Sequence, residues 1–571
     1  MKRHLTTTLA LATTAALALG ACNGGGATSG RTGAAAVDFA ATPAKGGTVE
    51  VLQNADFSYL DPARGWDGGV NNFYRLVYRT LTTPAPGNAK DPNAIVPDLA
   101  TGLGTPSDGG KTWTYTLKDG LAFEDGTPIT SAEVKFGISR AWDPEIGIGS
   151  PYAKNVIAAP HGYAGPYRSG DLPTIETPDA TTIVFHLKKP FPEFDAVVGQ
   201  VNMTPFPKGS GAGDSFIKKI IASGPYKLAA YTPGSLIQLE RNPKWDPATD
   251  QVRTAKPDAW RFTMGLDPAT IDERLLAGQG TDANAIAGTI QASTLPRLQA
   301  PQYKDRVLRM SGICTTYMSL NTTKKPLDDV RVRQAINYAV DKAAVQNATG
   351  GTQLATIATT VVPTTVAGHK DYDLYPSPGH KGDAEAAKKL LAEAGQSQGF
   401  SMVLDIRSQP KMQKQAEAIQ QSLKPIGIDV KLNVIDTSKY YETIGTRSQQ
   451  HDAAITGWCP DWASSAATFI PPLFYGPTIT DKGNPNLAQL DDPAINKRID
   501  EVGAMTDLAA ANRQWGELDE QVMKLAPIVP LNVEQAVYLP GRNVAGLFAS
   551  PGAATGGIDF VLVGLRDPDE S

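Results

Sequence analysis

A mixed α/β fold with long surface loops is what the sequence predicts, from the order of its segments and from its turn residues. Strand-like and helix-like stretches alternate along the chain with no internal repeat. Residues 402–406 and 428–434 read as strands around a helical stretch from about 411 to 424, and such a strand–helix–strand unit implies a partly parallel sheet. Proline and glycine are abundant, 43 and 55 residues, and gather in loops such as 160–173 and 205–213. An all-helical bundle and a repeat protein are both excluded by this pattern.

The elements follow in order. Thr48-Val49-Glu50-Val51-Leu52 alternates as a strand and runs into Leu60-Asp61-Pro62, a turn signal. Residues 71–81 carry apolar side chains at helical spacing. Trp113-Thr114-Tyr115-Thr116-Leu117 alternates again and ends at the turn pair Asp119-Gly120. Ser131 is expected to cap a helix in which Val134 holds the third position. Residues 182–187 form another strand, and Asp383 caps a helix over 384–394 that stops at Gly395.

The N-terminus reads as an export signal. Lys2, Arg3 and His4 precede an uncharged apolar run over 9–19, shorter than the ~20 residues a spanning helix needs. Leu19-Gly20-Ala21-Cys22 resembles the lipobox of bacterial lipoproteins, in which the cysteine thiol is acylated and the peptide before it is removed. A plain secretory signal that carries a cysteine by chance is the alternative. Acyl chains at about 0.8 kcal/mol per buried CH₂ would anchor the protein stably. Residues 22–45, rich in Gly, Ala, Thr and Ser, are expected to be a flexible tether.

Composition bounds the function. The chain is 41% hydrophobic and 19% charged, with a net charge of −5 and a pI near 5.8. The charges are interspersed, so no basic stripe for nucleic acid stands out. Beyond Cys22, Cys314 and Cys459 remain; outside the cytoplasm they suggest a disulfide, and two buried free thiols are the other possibility. Gly110-Lys111-Thr112 nearly meets the phosphate-loop pattern, but Thr105 stands where its first glycine belongs and a strand follows where a helix is required. Ser215 and Lys218 match only the loose Ser-x-x-Lys spacing, without companion motifs. The histidines at 4, 161, 186, 369, 380 and 451 include no pair at metal-ligand spacing. No cofactor, metal or enzymatic activity is expected.

Four blocks, in order, carry a family likeness. They are Val96-Pro97-Asp98-Leu99-Ala100 with residues 113–136, Gly224-Pro225-Tyr226-Lys227, Leu239-Glu240-Arg241-Asn242-Pro243, and Leu320-Asn321-Thr322 with residues 329–336. Over nearly the whole mature chain the sequence resembles the bacterial extracellular solute-binding proteins of family 5, the oligopeptide and dipeptide receptors of ABC importers. Several blocks have a structural reading: residues 125–128 make a turn, and Arg331 and Arg333 are expected to hold backbone or carboxylates at a helix start.

The resemblance also points to a site. His451 to Asp461 reads as an apolar strand ending in a polar, bulky cluster. In the oligopeptide receptors the matching Gly-Trp-Cys-x-Asp supplies a carboxylate that pairs with the peptide's α-ammonium. Carried over, Asp461 is that anchor, Trp458, Cys459 and Trp462 line the cleft, and Cys459 is bonded to Cys314. The loop at 61–69 is similar to a receptor loop that touches ligand backbone, which adds Trp66, Asp67 and Gly68. Where peptide receptors often carry a run of Tyr, this chain has Asn532-Val533-Glu534, a departure that keeps oligosaccharides and nickel complexes as alternative ligands.

The resemblance implies a two-lobed periplasmic-binding-protein-like fold of type II, in the large class with an extra inserted subdomain. The expected division is a signal peptide at 1–21, a tether at 22–45, lobe I from 46–82, 191–299 and 531–571, an insert at 83–190, and lobe II at 300–530. The implied function is an extracytoplasmic, lipid-anchored, monomeric receptor on the outer face of the cell membrane, capturing short peptides between closing lobes. Backbone hydrogen bonds like those of strand addition and roomy, wet side-chain pockets would make that capture tolerant of sequence. It would deliver them to a permease powered by a separate ATPase. An exported cell-wall hydrolase and a signalling sensor are the competing classes.

Overall fold

The computed structural model describes residues 37–57, 59–65, 68–146, 150–436, 439–549 and 557–570. The signal peptide, Cys22 and the tether up to residue 36 lie outside the described residues, as do Trp66 and Asp67.

Two larger sheets organise the body. The first has five strands in the order Ala285–Ala287, Thr48–Leu52, Ala259–Thr263, Leu236–Arg241, Tyr226–Thr232. Thr48–Leu52 runs parallel to both of its neighbours, and the other pairs are antiparallel. The second has six strands in the order Ala355–Ile357, Ile528–Glu534, Thr315–Leu320, Ala453–Trp458, Phe400–Arg407, Ile428–Ile435. Phe400–Arg407 pairs in parallel with Ile428–Ile435 across the helix Pro410–Leu423, the unit read from the sequence. Periodicity explains that helix: Met412, Ala416, Ile419 and Leu423 face the core at helical spacing.

A smaller antiparallel sheet, Thr105–Ser107, Thr112–Thr116, Thr182–His186, Ile175–Glu176, falls within the stretch 83–190 and has its own hydrophobic core. The chain passes from the five-stranded to the six-stranded sheet through Leu308–Met310 and returns through Ala536–Tyr538. These two segments pair side by side. Arg306, buried at the foot of this pair, donates to the carbonyls of Leu275 and Pro540 at 2.8 and 3.0 Å.

The family blocks prove to be joints of the fold. Asp98 takes Arg79 at 2.7 Å and Arg253 at 3.0 Å in a buried ion network. Asn242 of one block donates its backbone N–H to Pro225 and its side chain to Gly224 of another, each at 2.8 Å. Arg333 donates to the Leu525 and Leu327 carbonyls, while Arg331 pairs with Asp329.

Several expectations need correction. The helix Ser131–Ser139 is capped by Thr130, not Ser131, and Glu133 rather than Val134 holds the third position, so that Thr130 and Glu133 close a reciprocal capping box. The Ser131 hydroxyl is engaged elsewhere, donating to the Asp179 carbonyl. The first helix is Gly68–Val77, earlier than the predicted 71–81. Residues 37–45, assigned to the tether, pack on the body: Phe39 is buried, and Ala44 bridges to Leu565. Bulky Phe39 gives that stretch something to bury, which the Gly- and Ala-rich residues before it lack. The strand Ile528–Glu534 stays in the six-stranded sheet beyond the boundary drawn at 530.

Candidate functional site

The site is built outward from the end of one strand. Ala453–Trp458 pairs antiparallel with Thr315–Leu320, Trp458 lying opposite Thr315. One register step further, Cys459 faces Cys314, and the two are joined in a disulfide with 4.2 Å between their Cα atoms. The chain then turns through Pro460 and Asp461. The Trp458 indole N–H donates to the Thr468 carbonyl at 2.6 Å, which ties the loop back onto its own strand.

This loop meets residues from the first half of the chain. The Tyr152 hydroxyl donates to the Asp461 carboxylate, and the Gln200 side chain donates to the Asp461 carbonyl at 3.0 Å. The Trp462 ring packs 4.8 Å from that of Tyr152 and joins the core of the smaller sheet. Glu193 accepts from the Trp462 indole at 3.0 Å and from the Ser465 hydroxyl at 2.6 Å. Burial pushes the Glu193 carboxyl up to about 7, against the pull of those two donors. Burial, and then the Asp461 charge, hold the Tyr152 hydroxyl well above its usual range.

Where the two halves meet there is a cavity of about 890 Å³. Tyr152, Phe191 and Glu193 line it from the first half; Tyr317, Trp458, Asp461 and Trp515 line it from the second. Its volume lies within the range of about 300–1,000 Å³ typical of small-molecule sites. Asp461 also borders a smaller cavity of about 50 Å³ with Tyr74, Arg75 and Gln200. Arg75 is held there by a buried ion pair with Asp559 at 2.9 Å. Among the described residues, no group of His, Cys, Asp and Glu is arranged to hold a metal.

Of the residues singled out from sequence, Asp461, Trp458 and Trp462 come together on this cavity. Cys459 does not line it; its sulfur is taken by Cys314. Gly68 opens the helix Gly68–Val77. Sequence reasoning missed Tyr152, Glu193, Tyr317, Tyr441 and Trp515. They sit in segments far apart in the chain, and no local pattern connects them.

Comparison with known proteins gives this arrangement its family. Residues 94–481 match the model of bacterial extracellular solute-binding proteins, family 5 middle. The chain belongs to this family. A solved structure, clavulanic acid biosynthesis oligopeptide binding protein 2, superposes with a TM-score of 0.87 at 34% identity, over 93% of this chain and 98% of that one. The glutathione-binding protein GsiB of Escherichia coli is 27% identical over 470 residues, 78% of this chain and 82% of the relative. The fold is shared with the periplasmic binding protein DppA from Helicobacter pylori, solved in complex with the peptide STSA. That likeness has a TM-score of 0.68 at 24% identity and covers 92% of this chain and 99% of that one. This family 5 protein therefore has the two-lobed type II architecture, with mixed α/β lobes joined at the Leu308–Met310 and Ala536–Tyr538 crossing. Family 5 comprises extracytoplasmic binding proteins rather than enzymes.

Proposed function

We propose that this protein is the substrate-binding lipoprotein of an ABC importer, held to the outer face of the cell membrane through Cys22, and that it captures short peptides. The observation that carries the reading is Asp461: it stands on the wall of the cavity between the two halves, on a loop fixed by the Cys314–Cys459 disulfide. In this reading the Asp461 carboxylate receives the peptide's α-ammonium, and the Tyr152 hydroxyl keeps that carboxylate oriented. A ligand bound there touches both halves and so favours the closed arrangement. The closed protein, a monomer, then presents its ligand to the permease. The insert at 83–190 lends Tyr152 to one wall of the cavity.

The test is thermal unfolding of the full chain with short peptides, each beside its N-acetylated twin, and with oligosaccharides and nickel in parallel. Free-amine peptides are expected to raise the midpoint and acetylated ones are not. Asp461→Asn is expected to weaken binding by about 1.5–3 kcal/mol, the range for a hydrogen bond to a charged group. A sugar or a nickel complex that stabilises where peptides do not would replace the peptide assignment. Metabolic labelling with palmitate, lost in Cys22→Ser, tests the anchor.

A further inference from the structure

The cavity beside Asp461 has a chemical character of its own. Its walls carry the rings of Phe191, Tyr317, Tyr441, Trp458, Tyr475 and Trp515. The Trp458 indole N–H is already committed to the Thr468 carbonyl, so this ring has only carbon surface left to offer a ligand. The Tyr475 hydroxyl is likewise engaged, donating to Asp500 at 2.7 Å. Apart from tyrosines, the ionisable side chains on the lining are Glu193, Asp461, Asp500 and Lys189, so carboxylates outnumber the ammonium.

We propose, resting on the assignment of peptide as ligand, that the preferred one is a short peptide with a bulky apolar or aromatic side chain at its first or second position, seated among these rings while its ammonium meets Asp461. The expectation of roomy, wet pockets indifferent to side chain is thereby narrowed. Carbon surface that leaves water for an aromatic-lined cavity gains affinity in proportion to its area. A second carboxylate on the ligand would enter a lining where Asp461 and Asp500 stand against the single ammonium of Lys189, and like charges repel. Glutathione, with two carboxylates and one ammonium, is of the disfavoured class.

Calorimetric titration of the full chain in detergent tests this with trialanine, its variants bearing phenylalanine at position one or two, its variants bearing glutamate there, and glutathione. One phenylalanine peptide is expected to bind at least about tenfold more tightly than trialanine. The glutamate peptides and glutathione are expected to bind more weakly than trialanine. Tyr441→Ala should shrink the phenylalanine advantage; that ring is 60% exposed and packs over the Arg407 guanidinium, so its removal spares the core. Equal affinity across the tripeptides overturns this inference and leaves peptide capture standing. Glutathione binding more tightly than the phenylalanine peptides also overturns it. Silence from every peptide removes the peptide reading and this inference together.

Discussion

Glu193 joins the two halves of the molecule through a single carboxyl, accepting from Trp462 and Ser465 on the loop that carries Asp461. Its burial has a consequence for stability. The folded protein keeps the Glu193 proton up to about pH 7, whereas the unfolded chain releases it near 4.5. Between those values the folded state holds the extra proton, so stability falls as pH rises, by about 3 kcal/mol at most. Asp519, pushed up to about 6 by burial, acts with the same sign over a lower window. Urea titrations at pH 5 and pH 8 should show this loss in the native protein and a smaller loss in Glu193→Gln. An equal loss in both would place the pH dependence elsewhere. Asp461 was legible in the sequence because a short motif carries it. Glu193 was not, since an isolated glutamate between Pro192 and Phe194 reveals neither its burial nor its partners.

Single elements supply sharper tests. Thr130 and Glu133 close the first turn of Ser131–Ser139 reciprocally, so Thr130→Ala should cost about 1 kcal/mol in chemical denaturation. The disulfide closes a loop with a sequence separation of 145, and replacing both cysteines by serine should cost about 2–5 kcal/mol. The same change should weaken ligand binding, because the loop bearing Asp461 leaves its strand at Cys459. Binding that is unaltered in the serine variant would mean that the loop's hydrogen bonds, from Trp458 to Thr468 and with Tyr152, Gln200 and Glu193, position it without the disulfide. The helix predicted at 411–424 and found at Pro410–Leu423 was readable because its apolar spacing and its flanking strands agree. The cap at Ser131 was misassigned because adjacent hydroxyl residues offer the same local signal. Only the contact with Asp179 shows which of them is engaged elsewhere.

At the scale of the whole molecule, the two halves are connected through the pairing of Leu308–Met310 with Ala536–Tyr538 and meet again at the cavity. If ligand closes the two halves as proposed, the contacts it makes at the cavity set the balance between open and closed forms. Solution scattering should show a smaller radius of gyration on addition of a free-amine peptide and no change with its acetylated twin. At a hundredfold excess over Kd, the same peptide should add about 2.7 kcal/mol to the unfolding free energy. Contraction without stabilisation, or the reverse, would separate closure from binding.

The sequence by itself determined the α/β class, the strand–helix–strand unit, the family and the motif that ends in Asp461. Each of these is written in neighbouring residues, where periodicity, turn chemistry and short motifs act. The tertiary structure decided what surrounds Asp461: the Tyr152 hydroxyl, the Glu193 bridge, and an aromatic cavity assembled from residues between 151 and 515. It also decided that Phe39 is buried against the body, and that Cys459, bonded to Cys314 as the resemblance implied, does not line the cavity. Those outcomes depend on which distant segments share a core, and burial is a property of the packed chain rather than of any one stretch of it.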